Sequence, residues 1–173
     1  MARPKGIGKH TARSTRTRVT AMRFYSRKSP RLCGYDYAEQ NYYFITICTH
    51  NKECIFGNPG ILNHLGQVVQ KHIEKIPVVY ANVLIDKFVI MPNHIHVIIA
   101  LDGEKTPSVS RIVGQFKMAV TKEIKQNYGI HTIWQRSFHD HVIRNQKDYE
   151  RIWLYIHGNP QKWSDDCFFV EDW

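Results

Sequence analysis

The 173-residue chain has no run of about 18 consecutive apolar residues, which excludes a membrane-spanning helix. Its basic N-terminus lacks the apolar stretch of a secretory signal. Cysteine is scarce: Cys33, Cys48, Cys54 and Cys167 are scattered without CxxC spacing. That pattern excludes a disulfide framework or a Cys-rich zinc site and makes a reducing cytoplasm the expected location. No internal repeat interrupts the sequence. What is present is an ordinary globular composition, 43% hydrophobic and 23% charged, of one domain's length.

Acid is missing from one place in particular. Residues 1–32 carry ten Lys/Arg and no Asp/Glu, whereas the rest of the chain carries fourteen Lys/Arg against fifteen Asp/Glu. The net charge of +9 therefore belongs to the N-terminal segment and not to the body. Residues 1–31 have few large apolar side chains and no sustained period, and read as a disordered basic arm. Residues 32–173 read as the folded domain. Such an arm follows a polyanion, with nucleic acid favoured through phosphate contacts and counterion release. The plainer alternative is a solubilising extension. A membrane surface fits less well, because the arm has no apolar helical face.

Hydrophobic periodicity divides the body. Residues 42–49, YYFITICT, read as a buried strand. Leu62, Leu65, Val69, Ile73 and Ile76 stand at helical spacing over 61–76. Residues 82–91 and 94–101 read as two strands joined through Pro92-Asn93, hence antiparallel. Val109, Val113, Phe116, Val120 and Ile124 give one apolar face to a helix over 108–127. A fourth strand is expected near 138–144, and a last helix from Gln146 to Gly158, ending before Asn159-Pro160. The first six elements follow the split βαβ order: an α+β, RRM/ferredoxin-like antiparallel sheet with two helices packed on one face. The C-terminal helix is additional, and the second sheet face is free for it or for a ligand.

His94 and His96 flank Ile95 on the third strand. Period two projects both imidazoles from one face, with Cα atoms roughly 6–7 Å apart. They can converge on a divalent cation if a third group joins them. Ile95, Val97 and Ile99 then face the helices, and the histidines face away. The structural alternative is a half-exposed strand face carrying two histidines. His139 and His141 repeat the spacing and form a rival pair.

Tyr155 and Asn159 lie four apart on one face of the last helix. A phenol titrates near pH 10 and needs activation to act as a nucleophile; its commoner role on a helix is packing. Tyr149 and Trp153 read as packing residues. Trp134, Gln135 and Arg136 can stack on and grip single-stranded nucleic acid, or cap the sheet. Arg111 and Lys117 lie off their helix's apolar stripe, where phosphate contact and plain solvation are the two options.

The segments RLCGYDYAEQNYYFITICTHNKECIFG, VIMPNHIHVIIAL, VGQFKMAVTKEI and WQRSFHDHVIRNQKDYERIWLYIHGNP occur in this order over about residues 31–163. Together they resemble the single-tyrosine, HUH-type transposases, in the REP-associated tyrosine transposase branch. The resemblance implies that His94 and His96 are the metal-binding pair and that Tyr155 is the nucleophile. Asn159 stands where related enzymes have a polar residue completing the metal site. The family fold is an RRM-like sheet with the tyrosine on a separate C-terminal helix. Its implied cofactor is Mg²⁺ or Mn²⁺, and its implied partner is single-stranded DNA with hairpin-forming repeats. Its implied assembly is either a monomer or a homodimer.

The implied reaction is DNA nicking and joining through a 5′-phosphotyrosine intermediate, the chemistry of DNA transposition. The rival reading is an RRM-like module that binds a nucleic-acid hairpin without cutting. Such a module wants aromatic residues on the exposed sheet face, where this sequence places histidines. A metal-dependent hydrolase, the third reading, has no need of Tyr155.

Overall fold

The computed structural model describes residues 36–103 and 106–171. The basic arm expected over 1–31 lies outside the described residues.

The chain forms β1 (Asn41–Cys48), a 3-10 turn (His50–Lys52), a small hairpin of β2 (Gly57–Asn58) and β3 (Ile61–Leu62), then α1 (His64–Glu74) and α2 (Ile76–Val79). After these come β4 (Val83–Met91), β5 (His94–Leu101), α3 (Val109–Tyr128), β6 (His139–Ile143), α4 (Gln146–Gly158) and a 3-10 segment (Pro160–Asp165). The main sheet has the order β4-β5-β1-β6 with every neighbour antiparallel. This is the split βαβ arrangement that the sequence predicts, with the two-residue Pro92-Asn93 link forcing β4 and β5 side by side.

Helix limits follow capping chemistry. Asn63, Ser108 and Asn145 each accept a first-turn backbone N–H, from Gly66, Arg111 and Asp148 respectively. Gly129 ends α3 at φ 71, in the left-handed region that glycine adopts without a Cβ penalty. The predicted helix over 61–76 is shorter at both ends. Leu62 pairs with Gly57 in the small hairpin, and Ile76 opens α2 after Lys75, with Pro77 in its first turn.

The two sheet faces carry different cores. Ile45, Ile47, Ile95, Val97 and Ile99 pack against α1 and α3 through Val69, Ile73, Ile112, Val113, Phe116 and Val120. On the other face Phe44, Ile98 and Ile143 pack against Ile152 and Ile156 of α4. The additional helix therefore occupies the face left free by the split βαβ unit. β5 is buried along its whole length, histidines included.

A bulge between Ile85 and Lys87 on β4 seats α4. Tyr149 donates its hydroxyl to Asp86 Oδ2 (2.9 Å), and the Lys87 ammonium lies 4.4 Å from the Trp153 ring centroid. Tyr149 and Trp153 are thus packing residues at the helix edge, as the sequence suggests.

Candidate active site

The site grows from strand alternation. β5 turns His94, His96 and Ile98 toward α4 while Ile95, Val97 and Ile99 enter the other core. In register, Cys48 stands opposite His94 and Thr46 opposite His96. The His94 and His96 Nε2 atoms are 3.0 Å apart. His96 Nδ1 lies 2.8 Å from Thr46 Oγ1, and His94 Nδ1 lies 2.9 Å from Asn93 Oδ1.

α4 brings the phenol to this pair. Tyr155 Oη is 3.2 Å from His96 Nε2 and donates to Asp166 Oδ2 at 3.1 Å. Asn159 caps the helix and donates from Nδ2 to the same Asp166 oxygen at 2.7 Å. The Asn159 Oδ1 atom is buried without a hydrogen-bond partner. Asp166 Oδ1 accepts the Phe168 backbone N–H at 2.7 Å.

The chain beyond α4 folds back to close the site. The Phe168 and Trp163 rings pack against His94 at centroid distances of 4.6 and 6.0 Å. Both histidines are 0% exposed. Burial lowers the His94 pKa to about 3, with the Lys52 cation adding to the effect. Burial, then the neighbouring His94, holds His96 well below the usual imidazole value, against the opposing pull of Asp166. Both rings are therefore neutral at physiological pH. Burial, then the Asp166 charge, raises the Tyr155 phenol far above its ordinary value.

Neutral imidazoles, one carboxylate and an orphaned amide oxygen are the donor set of a cation. Ligand atoms of His94, His96 and Asp166 all lie within 4.8 Å of one another, the one such group of three among the described residues. The residues present therefore fit a divalent ion.

The structure brings together His94, His96, Tyr155 and Asn159, as the sequence suggests. Sequence reasoning missed Asp166, Thr46 and Asn93. Asp166 lies in an aperiodic stretch. Thr46 could have been found by pairing the predicted strands and asking which polar residue faces a histidine. Asn93 reads as a turn residue, yet it is 0% exposed.

The rival pair separates. His141 Nε2 contacts Asp148 Oδ2 at 2.7 Å, and the same carboxylate accepts from Arg151. His139, opposite Thr46 on the edge strand, is exposed.

The candidate DNA contacts also have distinct places. Arg111 is exposed on α3, across the sheet from the histidines. The Lys117 ammonium is directed at the carbonyls of Gln135, Arg136 and Ser137. Trp134 packs on Phe56 and Phe116 and donates its indole N–H to Lys117 O (3.2 Å), so its ring serves the core. The Gln135 backbone N–H donates to Cys48 O at 3.0 Å, at the site end of β1. Arg136 beside it is exposed.

Comparison with known proteins gives this geometry a family. The model of the IS200-like transposases matches residues 37–159. The chain is 37% identical over 171 residues to an uncharacterised Haemophilus influenzae protein, covering 85% of this chain and 95% of that one. It is 35% identical over 95 residues to the REP-associated tyrosine transposase of Escherichia coli, covering 51% of this chain and 50% of that one. Among solved structures, a REP-associated tyrosine transposase bound to a REP hairpin superposes with a TM-score of 0.60 at 26% identity. That match covers 82% of this chain and 74% of that one. A transposase-like protein of Deinococcus radiodurans shares the fold at a TM-score of 0.50 and 12% identity, covering 74% of this chain and 95% of that one. The chain belongs to the IS200-like transposase family of DNA-processing enzymes, and its likenesses within that family include the REP-associated tyrosine transposases.

Proposed function

We propose that the protein is a metal-dependent single-stranded DNA endonuclease and strand transferase that works through a 5′-phosphotyrosine link at hairpin-containing repeats. The observation that carries this reading is Tyr155 Oη, held 3.2 Å from His96 Nε2 and 3.1 Å from Asp166 Oδ2. A packing tyrosine has no need of a buried histidine and a carboxylate at its oxygen.

His94, His96 and Asp166 would hold the ion, with Asn159 Oδ1 as a further oxygen donor. When bound, a divalent ion there polarises the scissile phosphate and offsets its growing negative charge. Two imidazoles with oxygen donors suit Mn²⁺ better than Mg²⁺, which prefers an all-oxygen shell.

The chain's own residues supply the rest. Tyr155 Oη attacks phosphorus; an O–P bond to the phenol forms and the bond to the 3′-oxygen breaks. The phenol's proton passes to Asp166, its hydrogen-bond partner, which makes the high pKa of the phenol compatible with attack. The departing 3′-oxygen takes a proton from solvent. Because the phosphodiester count is unchanged, a second 3′-hydroxyl can reverse the step and rejoin DNA without a nucleotide cofactor. Gln135 and Arg136, beside the site end of β1, are the residues we assign to strand binding. The hairpin bound by the solved relative supports hairpin-forming repeats as the substrate class.

The test is a denaturing gel of end-labelled single-stranded hairpin oligonucleotides with protein and Mn²⁺, beside the Tyr155→Phe variant. The expected result is a slowly migrating covalent band that needs both metal and Tyr155. Cleavage by Tyr155→Phe at the wild-type rate would overturn the nucleophile. Binding without any adduct across many hairpins would favour the non-cutting module.

A further inference from the structure

Between Gly129, which ends α3, and His139, which begins β6, the chain makes no helix or named strand, and its second half is held by separate contacts. Ile133 O accepts the His50 backbone N–H at 2.8 Å, Trp134 bridges to Thr49, and the Gln135 N–H donates to Cys48 O at 3.0 Å. These contacts lay the loop beside the end of β1 where Cys48 stands opposite His94. Past Gln135, Lys117 of α3 takes over. Its ammonium donates to three successive carbonyls: Gln135 O, the nearest, then Arg136 O and Ser137 O at 3.4 Å each. The clamp is reciprocal, because Trp134 Nε1–H donates back to Lys117 O at 3.2 Å.

An ammonium carries three N–H donors and no acceptor. Here main-chain oxygens take all three, and Lys117 joins none of the ion pairs among the described residues. A half-buried cation gathered in this way has no N–H to spare for a phosphate. Arg136 and Ser137, whose carbonyls it holds, are themselves exposed. We propose that Lys117 is a positioning residue for DNA: it pins the Gln135–Ser137 backbone so that Arg136 meets the strand at the histidine end of the sheet, and it does not touch DNA itself. A loop pinned beforehand loses less freedom on binding than a free one, and the clamp adds affinity by that route. Methionine keeps much of the lysine stem's bulk but donates nothing to the carbonyls.

The inference rests on the reading that this loop binds the strand, and the test separates the two. Isotherms on a set of single-stranded hairpin oligonucleotides, without divalent metal so that cutting does not intervene, compare wild type, Arg136→Ala, Lys117→Met and the double variant. Arg136→Ala should bind about tenfold more weakly, the scale of one charge-assisted hydrogen bond, and Lys117→Met about three- to tenfold more weakly. In the Arg136→Ala background Lys117→Met should cost less than about twofold, because the loop then has no guanidinium to place. Losses that multiply would overturn the proposal and return Lys117 to the phosphates. A wild-type chain that binds none of the hairpins, or Arg136→Ala binding as tightly as wild type, would overturn the strand-binding reading and the proposal with it. Reductive methylation of the wild-type chain, mapped by mass spectrometry, keeps the proposal falsifiable if Lys117→Met fails to fold. Lys117 should react far more slowly than Lys122 and Lys125, which are exposed on the same helix, and to the same extent with and without the oligonucleotide. A Lys117 that reacts as they do in the free chain and is shielded by DNA would overturn the proposal.

Discussion

His94 and His96 stay neutral in the fold because they are buried beside one another, and that has a consequence for stability. The His94 pKa falls from 6.5 to about 3, and that of His96 falls well below 6.5. Both folded values are depressed, so below pH 6.5 the unfolded chain binds more protons than the native one. The histidines' contribution is complete above the unfolded value and is lost as pH falls toward the folded ones. The slope is about 1.4 kcal/mol per pH unit for each ring, so about 2.7 for the pair. Metal-free protein should lose stability to urea between about pH 6 and about pH 5, and His96→Gln should show about half that slope. An unchanged slope in the variant would refute the buried neutral assignment. At this scale the sequence revealed what periodicity can reveal. The two histidines share a strand face at period two, and Tyr155 and Asn159 share a helix face. Asp166 was illegible because it acts from an aperiodic segment, and Thr46 because its role depends on which strands are neighbours.

The elements divide along the same line. Strands and helices with strong periods were legible to within a few residues, including the β4–β5 hairpin and α4. The small β2–β3 hairpin was not, since two residues per strand leave no period to read. Nor was the segment 163–169, whose placement is set by contacts and not by propensity. Phe168 packs its ring 4.6 Å from that of His94, accepts from Asn93 Nδ2 at its carbonyl and donates its N–H to Asp166. These contacts leave a phosphate no route to the histidines unless the segment moves. Phe168→Ala should therefore open the site. Acylation of histidines by diethylpyrocarbonate, mapped by mass spectrometry, checks this. In the wild type His139 should react and His94 and His96 should stay protected, whereas in the variant the pair should react at a rate approaching that of His139. Unchanged protection would mean that α4 and Trp163 close the site without Phe168.

At the scale of the whole molecule, charge and chemistry are carried by different parts of the chain. The domain that holds Tyr155 has nearly equal numbers of acids and bases, while residues 1–32 hold ten cations and no anions. A near-neutral body gives little long-range attraction to a polyanion, so on the proposed function affinity for DNA must come from local contacts, of which Arg136 is one we propose, or from the N-terminal segment. The two sources differ in their salt dependence. Each phosphate neutralised on a single strand adds about 0.7 to the slope of log affinity against log salt. Deleting residues 1–30 removes nine cations. If only four of them meet phosphates, the slope should fall by about 3, with the loss of affinity greatest at low salt. Adduct formation at saturating DNA should persist, because none of the residues at Tyr155 is removed. Binding isotherms of the two chains on one hairpin oligonucleotide, across a salt series, measure both slopes. Equal slopes would place the phosphate contacts on the folded body and leave the basic segment without a role in holding DNA.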